Sequence, residues 1–99
     1  MHPSRVVREN VRRFTDLPNI GPSLARDFAL LGYREPGELT GADPLALYRA
    51  LCAATGVRQD PCVLDVFMAV SHFLDGGAAL PWWHFTAERK RRHGQLFGA

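Results

Sequence analysis

Three prolines set the frame of this chain. Pro22, Pro44 and Pro61 follow Gly21, Asp43 and Asp60. Each precedes a stretch whose apolar side chains recur at helical spacing. Proline at the first helical position gives up an N–H that has no intrahelical acceptor there, and its fixed φ suits the helix. After Pro22 the stripe is Leu24, Phe28 and Leu31, closed by Gly32; after Pro44 it is Leu47, Tyr48, Leu51 and Cys52, closed by Gly56. After Pro61, Val63, Val66, Phe67, Val70 and Phe73 run almost continuously with Leu64, Met68 and Leu74 up to Asp75-Gly76-Gly77. A helix apolar nearly all round is expected to be the most buried. Asp43 and Asp60 read as caps for their helices.

The remaining segments are shorter. Ser4 is suited to cap a first helix over 4–15, with Val7, Val11 and Phe14 on one face and Arg5, Arg8 and Arg12 on the other. Residues 35–39 read as a single helical turn. Thr86 is suited to cap a short basic helix over 87–92. No stretch alternates with period two, so no strand is predicted. The expected fold is all-α: one compact domain over 1–99, of four or five helices, with a basic N-terminal helix and a basic C-terminal tail. Helix, tight turn and helix occur twice, clearly around Asn19-Ile20-Gly21 and in degenerate form around Gly56-Val57-Arg58.

With 99 residues, 46% of them hydrophobic and 22% charged, the chain has the size and balance of one ordinary globular domain. Cys52 and Cys62 are too few for a secreted disulfide scaffold, and free thiols in a reducing cytosol are expected. The charged N-terminal residues show no signal peptide. Asp65, Ser71 and His72 interrupt the longest apolar run, which is too short for a bilayer. A soluble, cytoplasmic protein with no membrane partner is the expectation.

The net charge of +2 conceals an asymmetry. Residues 1–13 carry Arg5, Arg8, Arg12 and Arg13 against Glu9, and residues 84–99 carry Arg89, Lys90, Arg91 and Arg92 against Glu88. Between them, four arginines face eight acids. Two basic ends around an acidic middle suit a polyanion if folding brings them to one side. All the cations but Lys90 are arginine, which favours bidentate phosphate contact, although compositional bias produces the same count.

The segment Leu17-Pro18-Asn19-Ile20-Gly21-Pro22-Ser23-Leu24-Ala25 carries the most chemistry. Asn19 tolerates a left-handed backbone, Ile20 is placed to plug the space between two helices, and Ala25 lets them approach. Gly21 removes a side chain where something must come close. The outcome is a helix N-terminus whose Gly21, Ser23 and Leu24 N–H groups point outward, with the Ser23 hydroxyl as a further donor. Such an end attracts anions through its unpaired donors and the helix dipole. Arg26 is predicted to face solvent near the turn. The bland alternative is a simple connection between antiparallel helices.

This segment resembles the helix-hairpin-helix motif, and the hairpin is also similar to the C-terminal domain of TfoX competence regulators. Beyond it, Leu31-Gly32, Asp43-Pro44 with Leu47-Tyr48, Gly56 to Cys62, and Trp82-Trp83-His84-Phe85 with Arg89-Lys90 resemble the small bacterial pathogenicity-locus or mitomycin-resistance-like proteins over roughly 14–90. The resemblance implies an all-helical, DNA-associated protein and brings no defined reaction. Asn19 and Ser23 stand where the hairpin motif often has glycine and lysine, and Arg58 replaces the closing glycine of the second turn. That second half is expected to build core.

Other residues admit sharper and blander readings. Trp82 and Trp83 suit base stacking, though one core anchor beside one partly covered ring is commoner. Cys52, Cys62, His72 and His84 lack the spacing of zinc ligands, so no metal and no cofactor are expected. Asp65 and His72 lie two turns apart on one helix, either a catalytic pair or satisfied interior polar groups. No carboxylate pair, nucleotide loop or activated nucleophile is visible, so no catalytic residue is assigned and a binding module is favoured over an enzyme.

The leading expectation is sequence-nonspecific binding to the backbone of duplex or single-stranded DNA, in repair, protection or processing. Asn19, Gly21, Ser23, Leu24 and Arg26 would form the hairpin contact. Arg12, Arg13, Arg89, Lys90, Arg91 and Arg92 would add charge. The alternative is a protein–protein adaptor on an inherited helix-hairpin-helix fold, with a DNA-processing protein as partner and Trp82, Trp83 and Phe85 as a docking patch. A third reading, an enzyme or a drug-binding resistance protein, needs a concave pocket with convergent polar groups.

Overall fold

The computed structural model describes residues 1–97. Three α-helices form where the prolines start them, α1 Pro22–Leu30, α2 Pro44–Thr55 and α3 Pro61–Leu74, and a fourth, α4 Thr86–His93, starts without one. Six short 3-10 turns make up the other regular structure, and there is no strand among the described residues. Gly32 and Gly76, at φ of 94° and 101°, follow α1 and α3, and Gly56, at 68°, caps α2. These left-handed positions favour glycine because it has no Cβ to clash. Among the described residues no helix is long and apolar enough to cross a membrane.

The core is built around α3, in which every residue from Leu64 to Val70 is buried. It packs against α2, α4, the turn Trp82–Phe85 and the turn Pro36–Leu39. Phe28 of α1 reaches it through the Phe67 ring, 5.5 Å between centroids, and Phe14 stacks behind Phe28 at 5.2 Å. The radius of gyration, 12.7 Å, is that of a densely folded domain of this size.

One buried carboxylate organises the C-terminal side. Asp65, with no exposed surface, accepts hydrogen bonds from Arg89 Nε at 2.9 Å and from the Thr86 hydroxyl at 2.7 Å. This corrects two expectations. Thr86 does not cap α4 but is its first residue, and its hydroxyl is committed to Asp65. Arg89 is not part of an exposed run but is buried in an ion pair. His72 is exposed, its ring against Phe85, and forms no pair with Asp65.

The predicted N-terminal helix is also corrected. Residues 1–16 form three 3-10 turns, Pro3–Arg5, Arg8–Asn10 and Phe14–Asp16, joined by extended backbone. Val6, Val11 and Phe14 pack on the core while Val7 is exposed, so the apparent helical stripe is used differently. β-Branched residues, Asn10 and crowded arginines make this a weak helix, and short helices depend on tertiary packing. The contacts available reward the extended path. The Arg8 guanidinium donates to the carbonyls of Phe73 and Gly77 and lies 4.0 Å over the Phe73 ring, neutralising the end of α3.

Two carboxylates, the half-buried Asp16 and the exposed Glu38, hold turns through main-chain donors. Asp16 accepts from the N–H groups of Arg12 and Arg13, both at 2.9 Å, and Glu38 from those of Arg34 and Glu35 at 2.6 and 2.8 Å. These bonds lower both carboxyl pKa values. A folded-state pKa below the unfolded one means that the unfolded chain takes up protons first as pH falls. The stabilisation is complete above the unfolded value, about 4, and is lost as pH falls through the folded values. Urea midpoints are expected to drop on acidification through this range, and to drop less for Asp16→Asn with Glu38→Gln.

Candidate nucleic-acid interface

The turn before α1 has the backbone that its sequence suggests. Asn19 is left-handed at φ 67°, the only described non-glycine residue with positive φ. Ile20 is 1% exposed and plugs the core. Gly21 is extended, and the first bond of α1 runs from the Ala25 N–H to the Gly21 carbonyl at 3.0 Å. The N–H groups of Gly21, Ser23 and Leu24 have no acceptor among the described residues. Gly21 and Ser23 are exposed. The donors are therefore open, although the flank expected to be a helix is the 3-10 turn Phe14–Asp16.

The other two proline-initiated helices are closed by their own carboxylates. Asp43 Oδ2 accepts from the Ala46 N–H, and Asp60 Oδ1 from the Cys62 N–H, both at 2.9 Å. The Cys62 bond lowers the Asp60 pKa, as expected of an anion settled on a helix N-terminus. At the second turn the equivalent place is thus filled by a negative group that repels phosphate. Val57, the counterpart of Ile20, is 57% exposed and plugs nothing. Arg58 donates to the Leu96 carbonyl at 2.6 Å, and the Tyr48 hydroxyl donates to the Gln59 carbonyl. This half of the repeat is committed to internal structure.

Asn19 joins the hairpin to a distant segment. Its Nδ2 donates to the Leu80 carbonyl at 2.9 Å, and its Oδ1 accepts from the Trp82 N–H at 3.2 Å. The Asn19 N–H donates to the Met1 carbonyl at 2.7 Å. Asn19 therefore holds the turn together and has no backbone donor left for a ligand. An open groove of about 430 Å³ results, lined by Met1, His2, Pro3, Asn19, Ile20, Gly21, Trp82 and Trp83. None of these is acidic. Trp82 is half-buried against the core, Trp83 is 61% exposed, and Phe85 is buried, so it belongs to no docking patch. Nothing in the sequence placed Met1, His2 and the tryptophans beside the hairpin.

The cations do not converge there. Arg26 is exposed on α1, as predicted. Arg12 lines a separate depression with Arg8 and Glu35, and its guanidinium donates to the carbonyls of Glu9 and Val11. Arg13 is exposed. Lys90, Arg91 and Arg92 line a groove of about 510 Å³ with His93 and Arg49, and Arg92 is partly offset by Glu88 at 3.3 Å. Arg49 was missed by sequence reasoning. Its place outside the α2 apolar stripe marks it as solvent-facing, but only the docking of α4 makes it part of a basic groove.

The cysteines are free and half-buried. Burial, reinforced by Asp60, pushes the Cys62 thiol up to about 11, so it is protonated and weakly nucleophilic at neutral pH.

The sequence profile described as "Cdd1: Pathogenicity locus" matches residues 7–91, spanning the hairpin, α2, α3 and most of α4. The chain belongs to this family. Similarity extends to the "Mitomycin resistance protein McrB" of Streptomyces lavendulae, 47% identical over 77 residues, or 78% of this chain and 73% of the relative. No solved structure matches. In this member of the pathogenicity-locus family, the open hairpin and the basic α2–α4 groove are separate surface features.

Proposed function

We propose that this protein binds the sugar–phosphate backbone of DNA without reading sequence, by seating a phosphate on the open N-terminus of α1. The observation that carries the reading is the contrast among three helices built alike: two ends hold an aspartate, and the third holds Gly21 and exposed donors. Gly21 has an ordinary backbone, φ −97° and ψ −176°, and a Cβ there would meet nothing within 4 Å. Neither conformation nor internal packing calls for glycine, whereas close approach of a ligand does. Arg26 and the cations of the α2–α4 groove add long-range attraction. DNA repair, protection or processing is the setting such a module suits, and a relative named for mitomycin resistance is in keeping with it.

A single substitution separates fold from function. Gly21→Asp places at α1 the carboxylate that α2 and α3 already carry. Its effect on stability is expected to be only a few tenths of a kcal/mol, because glycine and aspartate are both accepted caps. Its effect on DNA affinity is expected to be a loss of about tenfold or more, since charge-assisted bonds are replaced by repulsion. Duplex affinity of the unaltered protein is expected to fall with salt at a log–log slope of about −3 to −4, for roughly three to five neutralised phosphates. A flat salt response, or unchanged binding by Gly21→Asp, refutes the reading.

A further inference from the structure

We infer that the groove beside the hairpin takes an unpaired base, so that the preferred ligand is single-stranded DNA with one nucleotide spanning the α1 N-terminus and the Trp83 ring. The inference rests on the proposed reading of the hairpin as a phosphate site and adds to it the class of nucleic acid. Its basis is an independent feature, the exposed indole. Trp83 leaves most of its surface in solvent although it is among the largest apolar side chains of the molecule. It is held in place by the half-buried Trp82, with ring centroids 5.6 Å apart and planes at 83°. The main chain beneath Trp82 is bonded to Asn19, the residue that shapes the hairpin turn. The platform and the open donors therefore share one anchor.

The groove's lining, mostly apolar and without an acidic residue, suits a flat ring that carries an anionic group. Trp83 and Gly21, the residue at the positive dipole end of α1, line the same groove, and no carboxylate is among its lining residues. An anionic group joined to a flat ring satisfies both. A base paired in a duplex has its faces covered by its neighbours, so stacking on Trp83 requires an unpaired base or a frayed end. The phosphate contact is indifferent to pairing. The two features together predict that single strands gain an interaction that duplexes lack.

The test uses the full chain with a twelve-residue oligothymidine and a blunt duplex of similar length. Trp83→Ala is expected to weaken oligothymidine binding about 5- to 150-fold, the range for loss of one base–aromatic stack, and to leave duplex affinity within about twofold. Trp83→Tyr is expected to restore much of the loss. In a Trp82→Phe variant, the fluorescence of Trp83 is expected to be quenched by oligothymidine and not by the duplex. Thermal melting of each variant checks the fold. Gly21→Asp is expected to weaken both ligands. Loss with Gly21→Asp but none with Trp83→Ala overturns the stacking inference and leaves the backbone reading standing. Equal loss on both ligands with Trp83→Ala also overturns it. Self-association that disappears with Trp83→Ala, with DNA affinity unchanged, gives the groove to a second copy and overturns it. Failure of the unaltered protein to bind either DNA refutes both readings.

Discussion

Arg89→Ala is expected to destabilise the protein by about 3–5 kcal/mol, the usual cost of leaving a buried charge without its partner. Asp65 would lose its cation and retain only the Thr86 hydroxyl as a side-chain partner, in a site with no exposed surface. For a domain of this size such a loss lowers the melting temperature by more than about 10 °C. Urea or thermal unfolding measures it directly. Arg91→Ala, at an exposed position two residues further along α4, is expected to change stability by less than about 0.5 kcal/mol. The joint replacement Asp65→Leu with Arg89→Met is expected to recover much of the loss, because the expense lies in the unpaired charge rather than in the missing salt bridge. A weakened DNA affinity of Arg89→Ala at temperatures where it remains folded would contradict a purely structural role.

Asn19→Ala is expected to cost about 3–4 kcal/mol. Left-handed backbone without glycine or asparagine costs roughly 1–2 kcal/mol, and two side-chain hydrogen bonds, to Leu80 and from Trp82, are removed at roughly 1 kcal/mol each. Asn19→Gly separates the two contributions. It keeps the backbone angle available and loses only the hydrogen bonds, so it is expected to be the milder change. Denaturant titration of both variants reads the difference. Both free the main chain near Trp82 from the hairpin, so single-strand affinity is expected to fall more than duplex affinity. Equal stability losses in the two variants would show that the left-handed angle contributes nothing.

The elements most legible in advance were those with local punctuation. Proline before an apolar stripe and glycine or aspartate after it marked α1, α2 and α3, and Asp43 and Asp60 cap as read. The N-terminal segment lacked such redundancy. Val7, Val11 and Phe14 fit a helical stripe, but Val6, Val11 and Phe14 pack in an extended path, because the carbonyls of Phe73 and Gly77 and the Phe73 ring offer Arg8 more than a helix would. Of the proposed DNA contacts, Gly21, Ser23 and Leu24 keep open N–H groups, Asn19 is consumed in holding Leu80 and Trp82, and Arg89 is consumed by Asp65. An isolated run of basic residues gives no sign of which member will face inward.

By itself, then, the sequence determined an all-helical chain, three helix starts and the open donors at Gly21, because caps, left-handed turns and helical spacing depend on residues only a few positions apart. Tertiary structure alone decided that Arg89 is buried, that Arg49 joins Lys90 and Arg91, and that Trp83 stands beside the hairpin. Those outcomes depend on groups tens of residues apart being packed at one place, where the demand to satisfy a buried carboxylate or a main-chain carbonyl overrides local preference.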